Sequence, residues 1–118
     1  MTKPHIVVVE DDPSILFVVK MTLEYLGYRV TTATDGLGAS ALLSHTRPDL
    51  LLLDMNLPGK PGWEVINELR LVDTLPIIIM SGRSPREPQI QVAASKANDY
   101  LLKPFGVAEL TAAVRRFI

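Results

Sequence analysis

The sequence predicts an α/β domain, a doubly wound five-stranded parallel sheet with five helices on both of its faces. Three observations lead there. Short runs of purely apolar residues recur at 6–9, 50–53 and 77–80, too short for helices and too uniform for strands with one wet face. Between them lie stretches with apolar residues at helical spacing, so strands alternate with helices as in successive βαβ units. Each run also ends in polar residues: Glu10-Asp11-Asp12, Asp54, and Ser81-Gly82.

The elements follow in order. Residues 6–9 are β-branched and form the first strand. Asp12 or Asp11 caps the first helix, with Pro13 near its first position and Ile15, Leu16, Val19, Leu23 and Leu26 at helical spacing until Gly27 stops it. Residues 28–32 give a second strand. A second helix opens at Asp35 or Gly36, carries Leu37, Ala41, Leu42 and Leu43, and ends near Thr46, before Pro48. The third strand covers 49–53 and hands over to Asp54 and a loop with two turn signals, Pro58-Gly59 and Pro61-Gly62. Val65, Ile66, Leu69 and Val72 predict a third helix over about 62–72, with Trp63 packing at its margin. After the fourth strand at 77–80, Pro85 and Pro88 interrupt any helix begun at Ser84, so the fourth helix is placed at about 88–95. The segment 83–89 is expected to be mobile. A fifth strand at 98–102 closes on Lys103-Pro104, and Val107, Leu110, Val114 and Phe117 mark the last helix.

Composition narrows the function. A chain of 118 residues, 47% of them hydrophobic, is read as one domain over 1–118 with its own core. The 12 basic and 13 acidic residues nearly cancel, which excludes recognition of nucleic acid, an anionic membrane or a polyanion through overall charge. Without cysteine there is no disulfide, thiolate metal site or cysteine nucleophile. The apolar run near the N-terminus is far too short for a signal peptide or membrane span, so the expected location is the cytoplasm.

In the sheet order 2-1-3-4-5, strands one and three are neighbours at the switch point, where open α/β sheets place ligands. That brings Glu10, Asp11, Asp12 and Asp54 together, with Ser81 and Lys103 beside them. Converging carboxylates repel one another and call for a hard divalent cation; magnesium takes oxygen ligands and retains waters. Asp54 is then a candidate nucleophile for an aspartyl-phosphate, with Asp12, Ser81 and Lys103 around the transferred group. Any one such aspartate is ordinarily a helix cap or loop residue, Ser81 alone a turn residue, and Lys103 alone a surface charge. Their shared location reverses that reading. Tyr100 as plain packing remains an alternative to a switch role. His5 and His45 lack metal-ligand spacing and read as surface residues.

The segments VVEDDP, LLLDMNLPGKPG, IIIMSG and NDYLLKPF stand in an order and spacing that resembles the receiver domain of two-component response regulators, over residues 6–117. The resemblance implies a flavodoxin-like strand order, Asp54 as phosphoacceptor, and Asp11 with Asp12 as the acidic pair that binds Mg2+. It also implies a ligand in the main-chain carbonyl of Asn56, and Ser81 and Lys103 on phosphoryl oxygens. Tyr100 falls at an aromatic switch position coupled to Ser81, and Lys103-Pro104 at a cis peptide. The donor so implied is a phosphohistidine on a sensor histidine kinase or phosphotransfer protein. Such a domain assists its own phosphorylation and dephosphorylation and serves an output partner or domain. The surface of helix 4, strand 5 and helix 5 would dock that partner or a second copy. Three departures stand out: Lys96 where a glycine commonly closes helix 4, Lys60-Pro61, and the Pro85, Pro88 pair.

Two rival functions are weaker. Haloacid-dehalogenase-like enzymes also place an aspartate nucleophile after a buried strand, but they need a second aspartate two residues on, where this chain has Asn56, and room for a substrate cap. A receiver-like module that works without phosphorylation loses acidic residues, and here none is lost.

Overall fold

Every residue of β1 (His5–Val9), β3 (Leu50–Asp54) and β4 (Ile77–Ser81) is buried, as runs apolar on both faces require. The computed structural model, which describes residues 2–118, joins them with β2 (Arg29–Ala33) and β5 (Asp99–Leu102) in one parallel sheet ordered β2-β1-β3-β4-β5. Register sets the edge that matters: Val9 lies opposite Leu53, and Asp54 opposite Met80. The residues that follow β1 and those that end β3 and β4 therefore emerge side by side.

Alternation along the strands divides the interior into two layers. Ile6, Val8, Leu50, Leu52, Ile78 and Met80 pack under Val19 and Leu23 of α1 (Pro13–Tyr25) and Leu110 and Val114 of α5 (Val107–Arg115). On the other face Val7, Val9, Leu51, Leu53, Ile77 and Ile79 meet α2 (Gly36–Leu43) through Ala39, α3 (Gly62–Arg70) through Val65 and Ile66, and α4 (Pro88–Lys96) through Ala93. Most of these side chains have no exposed surface, and burial of each large one stabilises the fold by roughly 1.5–3 kcal/mol.

Several boundaries differ from the sequence reading for identifiable reasons. Asp54 and Ser81 are the last residues of their strands, so both side chains project from hydrogen-bonded backbone. α3 stops at Arg70, and Leu71 and Val72 are left exposed, because Asp73 ends the helix: its carboxylate accepts the Leu75 N–H at 3.0 Å and pairs with Arg47 at 2.9 Å. β5 begins at Asp99, since the side chain of Asn98 accepts the Ile77 N–H that a strand carbonyl would otherwise take. His5, expected on the surface, is buried in β1, with Nε2 2.7 Å from Thr31 Oγ1. Burial, helped by the charge of Arg29 and opposed by Asp49, pushes its pKa down.

Lys96 shows how α4 ends without a glycine. Among the described residues no side chain other than hydrogen sits at positive φ; the chain leaves α4 through Ala97 in extended conformation. The carbonyl this strands on Lys96 is taken by Arg70 from across the helix pair, at 2.9 Å. The same guanidinium donates to the carbonyls of Leu75 and Asp73 and to Asn98 Oδ1, at 2.9, 3.2 and 3.0 Å. Replacing Arg70 by alanine leaves these acceptors to water or to nothing, and is expected to destabilise the fold by about 1–3 kcal/mol in urea unfolding. A change under about 0.3 kcal/mol would show that Arg70 does not hold this corner.

Candidate functional site

Three consecutive acids leave β1, and the start of α1 sorts them. Pro13 opens the helix, so Asp12 is its N-cap, and Asp12 Oδ1 accepts the N–H groups of Ser14 and Ile15 at 2.8 and 3.2 Å. The expected metal pair, Asp11 with Asp12, thus has one member turned to the start of the helix. The acids whose oxygens gather within 4.8 Å of one another are Glu10, Asp11 and Asp54, with Asp12 spent as a cap. The clue lay in the sequence: the acid directly before a proline at the first helical position is the one a helix claims.

Glu10 has no exposed surface and Asp54 only 3%. Among the described residues their one close cation is Lys103, just past β5, whose Nζ lies 2.6 Å from Glu10 Oε1 and 3.5 Å from Asp54 Oδ2. The shorter contact is an ion pair without hydrogen-bond angles. Glu10 Oε1 is the one buried side-chain oxygen or nitrogen among the described residues lacking a hydrogen-bond partner. Burial, then the hydrogen bond and charge of Glu10, push the Asp54 carboxyl up to about 7, against the pull of the Asn56 N–H and Lys103. Burial alone would lower Lys103; its contacts with Glu10 and Asp54 outweigh that and raise it.

Ser81 is fully buried at the end of β4, where its Oγ accepts the Arg83 N–H at 3.1 Å and keeps its own proton to donate. The Asn56 N–H donates to Asp54 Oδ1 at 3.2 Å, folding the loop after β3 back on the carboxylate. The close approach of Gly62 keeps that loop tight: a Cβ there would lie 2.3 Å from the Asp54 carbonyl oxygen. The Lys103–Pro104 peptide is cis. Tyr100 stands away from the carboxylates, half-buried against the second core layer, and its hydroxyl donates to the Arg83 carbonyl at 2.6 Å.

Beside the acids opens a cleft of about 480 Å3, lined among others by Asp11, Asn56, Trp63, Arg83 and Gln89. Trp63 is 48% exposed on its wall, where the sequence suggested helix packing. The narrow apolar stripe of α3, made by Val65 and Ile66 with Leu69 partly buried beside them, was the available signal. Arg83 and Gln89 come from the segment expected to be mobile. That segment carries an exposed Arg83–Glu87 ion pair at 2.7 Å and a Ser84 hydroxyl that accepts the Arg86 N–H.

Three carboxylates facing one ammonium, with an orphaned buried oxygen and only hard oxygen donors, fit a small divalent cation, and magnesium above softer metals.

Comparison with known proteins agrees with this geometry. The model of the response regulator receiver domain matches residues 6–115. The chain is similar to the transcriptional regulatory protein PrrA of Mycobacterium tuberculosis, 36% identical over all of this chain and 51% of that protein. It is also similar to KdpE of Staphylococcus aureus, 42% identical over 93% of this chain and 48% of the other. It thus spans about half the length of the curated relatives it matches. Among solved structures, the receiver domain of a sensor histidine kinase from Pseudomonas aeruginosa, with a magnesium ion coordinated in its active site cleft, has a TM-score of 0.88 at 33% identity, covering 98% of both chains. The response regulator TrrA of Thermotoga maritima, in complex with Mg(2+)-BeF, gives 0.87 at 31%, covering 98% of this chain and 99% of that one.

The raised carboxyl makes a prediction for metal-free protein. Between the ordinary carboxyl range and about pH 7 the folded chain holds a proton on Asp54 that the unfolded chain has released, so stability falls as pH rises through that window. Asp54→Asn removes the titration. The variant should gain on the order of 1–3 kcal/mol over wild type at pH 8 and much less at pH 5, by chemical denaturation. Equal differences at the two pH values would contradict the assignment.

Proposed function

The chain belongs to the response-regulator receiver family, and from that premise we propose that Asp54 accepts a phosphoryl group, with magnesium, from a phosphohistidine on a sensor histidine kinase or phosphotransfer protein. The observation that carries the proposal is the Asp54 carboxylate held at a strand end with Lys103 Nζ 3.5 Å away and Ser81 buried beside it. An oxygen of Asp54 forms the new bond to phosphorus; the N–P bond breaks and its electron pair returns to the donor imidazole. Lys103 and the Ser81 hydroxyl are placed to meet the phosphoryl oxygens as charge builds on them. Magnesium, when bound, neutralises the carboxylates and the incoming oxygens. Asp11, Asp54 and the main-chain carbonyl of Asn56 would hold it, with Glu10 in reach and Asp12 left as the helix cap.

The domain is a signalling switch, and the change it reports runs through one residue. The N–H of Arg83 is bound by Ser81 Oγ and its carbonyl by Tyr100, so a Ser81 hydroxyl drawn toward a phosphoryl oxygen pulls on the peptides that Tyr100 grips. A differential of roughly 2–5 kcal/mol suffices to move such a two-state element from mostly off to mostly on. The surface it would alter is that of α4, β5 and α5, where Val92 and Leu102 are exposed and Arg116 pairs with Asp99 at 2.9 Å. An output partner, an output domain or a second copy would dock there. A cytoplasmic location is part of the proposal; no helix among the described residues is long and apolar enough to cross a membrane.

Intact-mass analysis with a small acyl phosphate should show one added phosphoryl group in the presence of magnesium and none in its absence or in Asp54→Asn. Labelling of that variant equal to wild type would sink the proposal. In Ser81→Ala, Asp54 should still take a beryllofluoride mimic while the Tyr100 ring resonances stay put. A ring that responds identically in wild type and variant would remove the relay.

A further inference from the structure

We propose that Lys60 is a positioning residue for the acceptor loop: its ammonium, bound by Glu68 of α3 and Ser40 of α2, clamps residues 55–61 and so sets where the Asn56 carbonyl stands. The consequence for metal rests on the function proposed above; the clamp itself does not.

The loop needs such a clamp because α3 starts without one. Its N-cap is Pro61, which makes no side-chain capping bond, so the first turn of the helix has no capping side chain to fix the loop that enters it. Lys60 sits one residue earlier and reaches over. Its Nζ donates to Glu68 Oε1 and Oε2 at 2.6 and 2.8 Å and to Ser40 Oγ at 3.0 Å. The lysine side chain is only 19% exposed. Its backbone is pinned as well. The Gly36 N–H donates to the Pro58 carbonyl at 3.2 Å, and a Cβ on Gly36 would lie 1.7 Å from the Lys60 carbonyl oxygen, so the loop rests on the first turn of α2 with no room between. With the Gly62 N–H bound to the Met55 carbonyl at 3.0 Å, the stretch carrying Asn56 is held at both ends and in the middle.

Lys60 takes no part in the charge of the acidic site. Its ammonium is spent on Glu68 and Ser40, whereas Lys103 is the cation at Glu10 and Asp54. The two kinds of influence have opposite signs. Deleting a nearby positive charge would by Coulomb attraction tighten magnesium binding, but loosening the loop would weaken it. Glu68 is half exposed, so the clamp is worth little in global stability and its effect should be local.

The test compares wild type with Lys60→Met, Lys60→Arg, Glu68→Gln and the Lys60→Met/Glu68→Gln double variant. In metal-free protein, amide exchange of residues 55–60 should quicken about two- to tenfold in Lys60→Met and Glu68→Gln, recover in Lys60→Arg, and be no faster in the double variant than in either single one. Amides of β1 should not change. Trp63, the one tryptophan of the chain and exposed in the cleft with Asp11 and Asn56, reports magnesium by its fluorescence. Titrated with magnesium chloride, Lys60→Met should show a dissociation constant about two- to fivefold higher than wild type. Unchanged exchange in Lys60→Met, or additive effects in the double variant, overturns the clamp. Tighter magnesium binding in Lys60→Met assigns Lys60 a purely electrostatic influence and overturns its positioning role. A wild type whose fluorescence and melting temperature ignore magnesium would remove the metal reading, and the exchange measurement would still decide the clamp.

Discussion

Two almost fully buried carboxylates, Glu10 and Asp54, share a single ammonium among the described residues, that of Lys103, and the sheet around them holds them in place. An isolated buried charge is strongly disfavoured, and one lysine cannot satisfy two carboxylates. The remaining strain appears as the upward shift of Asp54 and the unbonded oxygen of Glu10. Five apolar strands, packed on both faces, supply the stability against which that strain is set. The carboxylates sit on the last residue of β3 and the first beyond β1, where parallel pairing fixes their separation independently of any loop.

The fold was legible because the runs at 6–9, 50–53 and 77–80 are apolar on both faces, and only a sheet covered on both sides accommodates that. That Asp54, Ser81 and Lys103 lie at one edge of the sheet was legible because strand ends in such a sheet share an edge. What could not be read depends on single-residue geometry or distant partners. Which of three adjacent acids turns inward is decided by where α1 takes its first turn, and the burial of His5 by Thr31, 26 residues away. That Lys96 can end α4 is decided by Arg70 on a different helix. Trp63 was misjudged because its place at the edge of a narrow apolar stripe is equally that of a packed residue and of a cleft wall.

The two halves of the surroundings of Asp54 are built differently. On the β1, β3 and β4 side, backbone pairing holds the groups. On the α2 and α3 side, two glycines and a lysine bring a loop into contact with helices at distances no larger residue would permit. The first kind of support is stiff and general; the second rests on glycines that admit no larger side chain and on Lys60, whose partner Glu68 is half exposed outside the core.

Arg83 carries a different kind of consequence. Both bonds that place it between Ser81 and Tyr100 are made by its main chain, the N–H to one and the carbonyl to the other. The proposed relay would therefore pass along a peptide backbone and would not depend on the guanidinium. Any residue except proline, which lacks the N–H, could stand at 83 and keep both main-chain bonds. The side chain at 83 can then reshape this wall of the cleft while the main-chain bonds to Ser81 and Tyr100 stay as they are.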